Sequence, residues 1–105
     1  MDIALICAIY VTAPAGTRDR ASAVSDADIV ALSAHHCVMC HARKPTHASF
    51  QEPPKNVILE SAADFRRYAP LILTQAVQTK AMPLGNQTAM TDAEREKLGQ
   101  WIRAQ

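Results

Sequence analysis

The stretch that most constrains this chain is Cys37-Val38-Met39-Cys40-His41. Two cysteines three positions apart lie one turn apart on a helix, so both thiols point to the same side. The histidine that follows places an imidazole nitrogen beside them. A Cys-x-x-Cys-His run is the attachment signature of c-type haem, in which two thioether bonds hold the porphyrin and the imidazole binds its iron. The motif therefore predicts two covalent anchors, Cys37 and Cys40, and one axial ligand, His41.

Other uses of a Cys-x-x-Cys pair fit the sequence less well. A zinc site needs a second pair of ligands, and the remaining cysteine, Cys7, lies far upstream in an apolar segment. A thioredoxin-type redox pair is expected between a strand and a helix, and no alternating strand pattern precedes Cys37. A purely structural pair is a further alternative, since buried free cysteines behave as small hydrophobes.

A second signal lies in Ala81-Met82-Pro83. Haem iron takes a ligand on the face opposite the histidine, and methionine is common there in electron-transfer cytochromes because thioether ligation raises the reduction potential. Pro83 cannot continue a helix, so we expect an extended segment that carries Met82 across the ring. The alternatives are that Met82 fills a gap in the core, or that Met90 is the ligand. Met90 precedes a helix start and is predicted to be a core residue.

These residues give the chain a resemblance to the small monohaem cytochrome c family with His/Met ligation. The resemblance covers about residues 25–104 and rests on Cys37 to His41, on Met82-Pro83 and on the closing helix from Thr91. It implies an all-α, cytochrome c-like fold, with four to five helices wrapped around one covalently bound haem. Its ligand assignments agree with those predicted from the motifs.

The same resemblance adds a residue behind the histidine ligand. In this family a proline downstream of the ligating histidine offers its carbonyl to the other imidazole nitrogen. The matching position here is Pro53, with Pro54 as the alternative. Such a bond fixes the orientation of the ring and raises its basicity.

One subgroup is similar over residues 37–47, 81–86 and 90–95. It comprises the cytochrome c domains at the C-terminal end of membrane-bound bacterial urate oxidases, where a multi-helix membrane domain precedes the haem domain. Electrons from urate oxidation are thought to pass to the respiratory chain there. The resemblance implies respiratory redox proteins as partners, an associated membrane domain and a periplasmic location, since haem is attached outside the reducing cytosol.

Residues 1–24 differ in character from the domain predicted over residues 25–105. Residues 3–15 are almost wholly apolar and are followed by a linker of small and charged residues. The apolar run is shorter than the roughly 20 residues that a spanning helix needs. We expect either a signal peptide, although no Lys or Arg precedes the run, or the end of a membrane helix that anchors the domain, with a loose terminus as a further alternative. Cys7 is predicted to be an inert thiol.

Composition is consistent with one small domain. The chain has 105 residues, of which 49% are hydrophobic and only 5% aromatic, so a buried porphyrin would supply core that the side chains lack. We expect Trp101 to pack on the first helix. The net charge of +1, with no cluster of Lys and Arg, argues against a nucleic-acid partner.

Helix-start patterns occur at residues 25–28, 61–64 and 91–94, each with a side-chain oxygen followed by an acid. Apolar periodicity predicts a further helix over about residues 71–80. Residues 42–59 carry three prolines and are predicted to form an irregular loop along one haem edge. No convincing strand is present, and the predicted class is all-α.

Three histidines besides His41 need separate interpretations. Adjacent residues on a helix point about 100° apart, and we expect His35 and His36 to form a solvated surface pair. His47 lies close to the attachment turn and is expected not to reach the opposite haem face. Neither interpretation assigns these histidines to the iron.

Together the motifs predict outer-sphere transfer of single electrons through a His/Met-ligated haem c. The sequence offers no nucleophile with a base, no phosphate-binding loop and no paired carboxylates in a predicted pocket. We therefore expect a carrier and not an enzyme, although a carrier can be one domain of a larger oxidoreductase. The alternative is a haem peroxidase or a gas or redox sensor, in which the bond to Met82 is weak or absent.

Overall fold

The computed structural model describes residues 23–105. This part contains four α-helices and no strand, which confirms the predicted all-α class. The helices are α1 (Asp26–His36), α2 (Ala62–Arg67), α3 (Ala69–Ile72) and α4 (Asp92–Arg103). The apolar segment and Cys7 lie outside the described residues, so the predictions for them stay predictions.

Within residues 23–105, no helix combines the length and the apolar character that crossing a bilayer requires.

Three of the four helices begin at reciprocal capping boxes, at the helix starts that the sequence predicts. At α1, the Ser25 hydroxyl accepts a hydrogen bond from the Asp28 N–H at 3.1 Å, and the Asp28 carboxylate accepts one from the Ser25 N–H at 3.0 Å. The same exchange occurs between Ser61 and Asp64 and between Thr91 and Glu94. Each box satisfies two backbone donors that a helix start otherwise leaves free, and each cap is worth about 1 kcal/mol.

The helix predicted over residues 71–80 takes a different form. It begins earlier, as α3, and continues as a π-helix over Leu73–Gln78. In a π-helix the amide bonds to the carbonyl five residues back, as the Thr79 N–H does to the Thr74 carbonyl at 2.9 Å. The Thr79 hydroxyl donates to the same carbonyl at 2.9 Å. Apolar spacing located this helix but carries no signal for its wider turn.

The core forms where α1, α2 and α4 meet. Ile29 and Phe65 are fully buried, and Trp101 is 2% exposed. The rings of Phe65 and Trp101 meet edge to face, with centroids 6.4 Å apart. The Trp101 indole N–H donates to the Asp26 carboxylate at 3.0 Å, which confirms the predicted contact with the first helix.

A polar clamp closes this end of the core. The Arg66 guanidinium donates to both carboxylate oxygens of Asp26, each at 2.7 Å, and lies 5.3 Å from the centre of the Trp101 ring. Hydrogen bonding by Arg66, and then by Trp101, holds the pKa of Asp26 below its ordinary value of 3.8. The clamp joins the start of α1 to the last turns of α2 and α4.

The fit between α4 and the π-helix depends on Gly99. A Cβ at this position would lie 3.2 Å from Val77 Cγ1 and 2.8 Å from the Arg103 guanidinium. The arginine end is flexible and can move, whereas Val77 packs against the buried core cluster. Gly99 therefore allows the close approach of α4 to the helix that leads into residue 82.

Candidate functional site

A cavity of about 350 Å³ opens between the turn after α1 and the segment after the π-helix. Ligand-binding pockets span roughly 300–1,000 Å³, so this cavity is of ligand-binding size. Its walls are predominantly apolar and include Phe50, Val57, Leu59, Phe65, Leu71 and Ile72. Cys37, Cys40, His41 and Met82 all line it as well. The structure thus brings the four residues predicted to hold haem to one cavity.

The two cysteines lie on the turn that ends α1. The Cys37 N–H donates to the Ser33 carbonyl at 2.9 Å, which is the last bond of the helix. The Cys40 and His41 N–H groups then both donate to the Cys37 carbonyl, at 3.2 Å and 2.8 Å. A tight turn therefore replaces the continuous helix assumed from the spacing. It still holds the three functional side chains of the motif against one cavity.

Burial keeps both thiols protonated near neutral pH. It raises the pKa of the Cys37 thiol to about 11 and also raises the pKa of Cys40 above its ordinary value of 9.0. Redox-active Cys-x-x-Cys pairs need the opposite shift. Among residues 23–105, moreover, no group of three or more His, Cys, Asp or Glu side chains is placed to hold a metal ion. The zinc and thioredoxin alternatives therefore gain no support.

The His41 imidazole is held by a backbone carbonyl. Its Nδ1 lies 2.9 Å from the carbonyl oxygen of Val57. Because a carbonyl only accepts, Nδ1 carries the proton and donates, which leaves the Nε2 lone pair free for a metal. The His41 carbonyl also accepts from the Leu59 N–H at 2.8 Å. Both ends of the residue are thus tied to the strand-like stretch that follows the prolines.

In the structure, the carbonyl that accepts the hydrogen bond from the His41 imidazole belongs to Val57 and not to Pro53. The Pro53 carbonyl accepts from the Asn56 N–H at 3.0 Å, and the Pro54 carbonyl accepts from the Val57 N–H at 3.2 Å. These bonds close a short 3₁₀ turn over Pro54–Asn56. Both proline carbonyls are used within the turn, and the next extended residue, Val57, faces the imidazole. The prediction identified the loop but assigned the wrong carbonyl.

Met82 enters the cavity with its backbone held at both ends. Its N–H donates to the Gln75 carbonyl at 2.8 Å, and its carbonyl accepts from Arg95 Nη1 at 2.7 Å. The side chain is half-buried and packs against the hydrophobic core. Met90, the rival ligand, is 5% exposed and belongs to that core, as predicted, although part of it also borders the cavity.

The interpretation of His36 as a solvated residue is wrong. His36 is 4% exposed, with Nδ1 at 2.7 Å from Thr88 Oγ1 and Nε2 at 2.7 Å from Glu94 Oε2. His35 is exposed, as expected. The signal for burial was helical spacing: His36 extends the face formed by Ile29, Leu32 and Ser33 by one further turn.

Arg95 is the second buried residue that the motifs do not reveal. It is 5% exposed, and its Nη1 donates to the carbonyls of Ala76, at 2.6 Å, and Met82, at 2.7 Å. Its Nη2 lies 3.4 Å from Asn86 Oδ1. The available sequence signal is its position one turn before Leu98 on the buried face of α4. That signal indicates burial and does not identify the partners.

His47 joins the two sides of the cavity. Its Nδ1 accepts from the Ser49 N–H at 3.1 Å, so the proton lies on Nε2, which donates to Gln87 Oε1 at 2.9 Å. Both ring nitrogens are therefore engaged.

The residues at this cavity fit a c-type haem. Two protonated thiols, an imidazole with Nε2 free and a thioether are the donor set that such a haem needs, and the apolar walls suit a porphyrin. Searches against protein-family models, curated proteins and solved structures returned no significant match to this chain.

Proposed function

We propose that residues 25–105 form a c-type cytochrome domain with a cytochrome c-like fold that carries single electrons. A single haem c is bonded to Cys37 and Cys40 and ligated by His41 and Met82. The observation that carries the proposal is that these four side chains line one apolar cavity. A haem bound there supplies a one-electron couple.

The attachment chemistry draws on the two thiols and on two vinyl groups of the porphyrin. Each thiol adds across a vinyl group: sulfur bonds to one carbon, and the thiol hydrogen goes to the other. The addition therefore consumes no oxidant or reductant. The raised pKa values of Cys37 and Cys40 slow the competing disulfide, because thiol–disulfide exchange proceeds through the thiolate.

The chain's remaining contribution is to fix the ligands and to exclude water. Val57 orients the His41 imidazole and increases its donor strength through the 2.9 Å hydrogen bond. Apolar walls lower the local polarity, and a methionine sulfur favours the reduced state relative to a second histidine. Both features support a carrier of relatively high reduction potential.

The arrangement favours a carrier over the peroxidase alternative. A peroxidase needs a free base or acid near the open face to move protons. Of the histidines that line the cavity, His36 and His47 are each hydrogen-bonded through both nitrogens. We therefore propose that this domain is not itself an enzyme, while it can serve a larger oxidoreductase.

A haem-stained denaturing gel tests the proposal. The chain, expressed with bacterial c-type haem maturation and exported, is expected to retain haem after denaturation. Replacing both attachment cysteines (Cys37→Ala, Cys40→Ala) should remove the stain, whereas Cys7→Ala should leave it unchanged. A folded, exported chain without covalent haem would overturn the proposal.

Carbon monoxide separates the carrier from the sensor or peroxidase. With Met82 bonded, the ferrous protein should bind carbon monoxide slowly and incompletely. Rapid and complete binding by the unmodified protein would favour the alternative of an open or labile distal site.

The resemblance to the urate oxidase cytochrome domains also supplies a proposed setting. In this proposal the domain works in the periplasm, next to a membrane domain, and passes electrons from urate oxidation to respiratory redox proteins. Urate should then reduce the haem when the domain is mixed with membranes from its host. Reduction by other respiratory substrates but not by urate would remove this setting and leave the carrier function intact.

A further inference from the structure

We infer that Arg95 is a positioning residue that holds Met82 in the cavity and so keeps the distal haem face closed. This inference rests on the proposed function, because it assumes that Met82 is the distal ligand. It concerns a residue that touches neither the attachment motif nor the imidazole.

The contacts of Arg95 converge on the segment that carries Met82. One guanidinium nitrogen, Nη1, bridges the carbonyls of Ala76, at 2.6 Å, and Met82, at 2.7 Å. The other, Nη2, points to Asn86 Oδ1 at 3.4 Å. Asn86 in turn accepts from the Met90 N–H at 2.9 Å and donates to the Met90 carbonyl at 3.2 Å. A single side chain thus ties the start of the segment to the π-helix and contacts the turn that closes it.

The burial of Arg95 makes these bonds necessary. The residue is 5% exposed, and no carboxylate within residues 23–105 forms an ion pair with it. A buried cation without a counter-charge depends on its hydrogen-bond acceptors, here two carbonyls and an amide oxygen. The bond to Met82 therefore belongs to the stronger, charge-assisted class.

Removing the guanidinium should release the Met82 carbonyl together with the buried carbonyl of Ala76. The Met82 backbone has two hydrogen bonds, and without Arg95 only the 2.8 Å bond from its N–H to the Gln75 carbonyl remains. The partly buried carbonyl of Met82 would lose its partner, and the segment would gain by moving toward water. The sulfur would move with it, and the distal position would open.

The test measures how well imidazole in solution competes with Met82 in the ferric holoprotein. Arg95→Met should raise the imidazole affinity by about ten- to hundredfold, the range expected for a lost charge-assisted hydrogen bond. Arg95→Lys keeps the charge but lacks the planar fork, and should raise it by about three- to tenfold. The lysine variant keeps the test valid should Arg95→Met fail to fold.

Two control variants separate positioning from general loosening. Lys97→Met removes the same charge from an exposed position on α4 and should leave the imidazole affinity unchanged. Ile29→Val and Ile29→Ala remove buried core that does not line the cavity, and should lower the denaturation midpoint without raising imidazole affinity. The Ile29 variants are compared with the Arg95 variants at equal loss of stability. If imidazole affinity rises equally in both sets, Arg95 has only a structural role and the inference is overturned.

A double-variant cycle distinguishes failure of this inference from failure of the proposed function. Met82→Ala alone should raise imidazole affinity strongly, and adding Arg95→Met should then have little further effect. An equal effect of Arg95→Met with and without Met82 would show that Arg95 does not act through that ligand. No change in Met82→Ala would overturn the ligand assignment itself, and with it this inference. No change in Arg95→Met, with Met82→Ala responding, would overturn the inference alone.

Discussion

The two sides of the cavity are held in place by different kinds of contact. On the attachment side, residues 37–41 are fixed mainly through backbone groups: bonds within the turn, and bonds to the backbone of residues 46–47 and 57–59. On the opposite side, residues 82–91 are fixed mainly by side chains from distant elements: Arg95, His36 and His47. A covalent anchor needs only a local turn. A ligand that arrives from far along the chain must be held by tertiary contacts, so its position is the more easily changed.

The largest expected effect concerns which methionine of residues 82–91, the far side of the cavity, is the iron ligand. Met82→Leu should abolish the spectral signature of a thioether on ferric haem, because leucine has similar volume but no ligand atom. The covalent haem should remain, because its anchors lie on the other side. Absorbance spectra of the ferric protein check this, and the ferrous variant should bind carbon monoxide completely.

Met90→Leu is the matched control for this prediction. Met90 is 5% exposed in the core, so a shape-conserving change there should cost less than about 1.5 kcal/mol of stability and leave the thioether signature intact. The reverse pattern would show that Met90 is the ligand. The ligand on the far side would then be held by the core and not by Arg95.

The second prediction concerns the buried histidine that holds the far side. His36→Ala should lower the free energy of unfolding by about 1–3 kcal/mol, because it removes two partly buried hydrogen bonds and opens a cavity. Amide hydrogen exchange in residues 82–91 should rise more than in residues 37–41, since Thr88 is released directly.

The neighbouring residue provides the control. His35 is exposed, so His35→Ala should change stability by less than about 0.5 kcal/mol. Equal effects at the two positions, or equal exchange on the two sides of the cavity, would contradict the view that His36 secures the far side.

The sequence predicts the features that depend on local residues and misses those that depend on long-range backbone partners. The capping boxes and the attachment motif depend on residues close together in the chain, and motif and spacing found them. The Val57 carbonyl was missed because the backbone of a proline turn decided which oxygen was free. Arg95 was missed because its partners are backbone carbonyls, which have no sequence signature.

The third prediction concerns the packing of α4 against the π-helix that precedes Met82. Gly99→Ala places a Cβ 3.2 Å from Val77 Cγ1, between α4 and the π-helix that carries Gln75 and Ala76. Overpacking costs about 1–3 kcal/mol, and replacing a helical glycine returns about 0.5–1 kcal/mol. We expect a net loss of about 1 kcal/mol in chemical denaturation. Adding Val77→Ala should recover part of the loss, and strict additivity of the two variants would contradict the proposed clash.

The smallest effect should appear in acid. The bond from the Thr91 backbone, and then that from His36, lower the pKa of Glu94 from its ordinary value of 4.5. A carboxyl whose pKa is lower in the folded than in the unfolded state stabilises the fold above the unfolded value, and that contribution disappears as pH falls through the folded value. Below pH 4.5 the stability difference between the protein and Glu94→Gln should therefore shrink. Exchange on acidification should increase first in residues 82–91, and an earlier increase in residues 37–41 would contradict the division between the two sides.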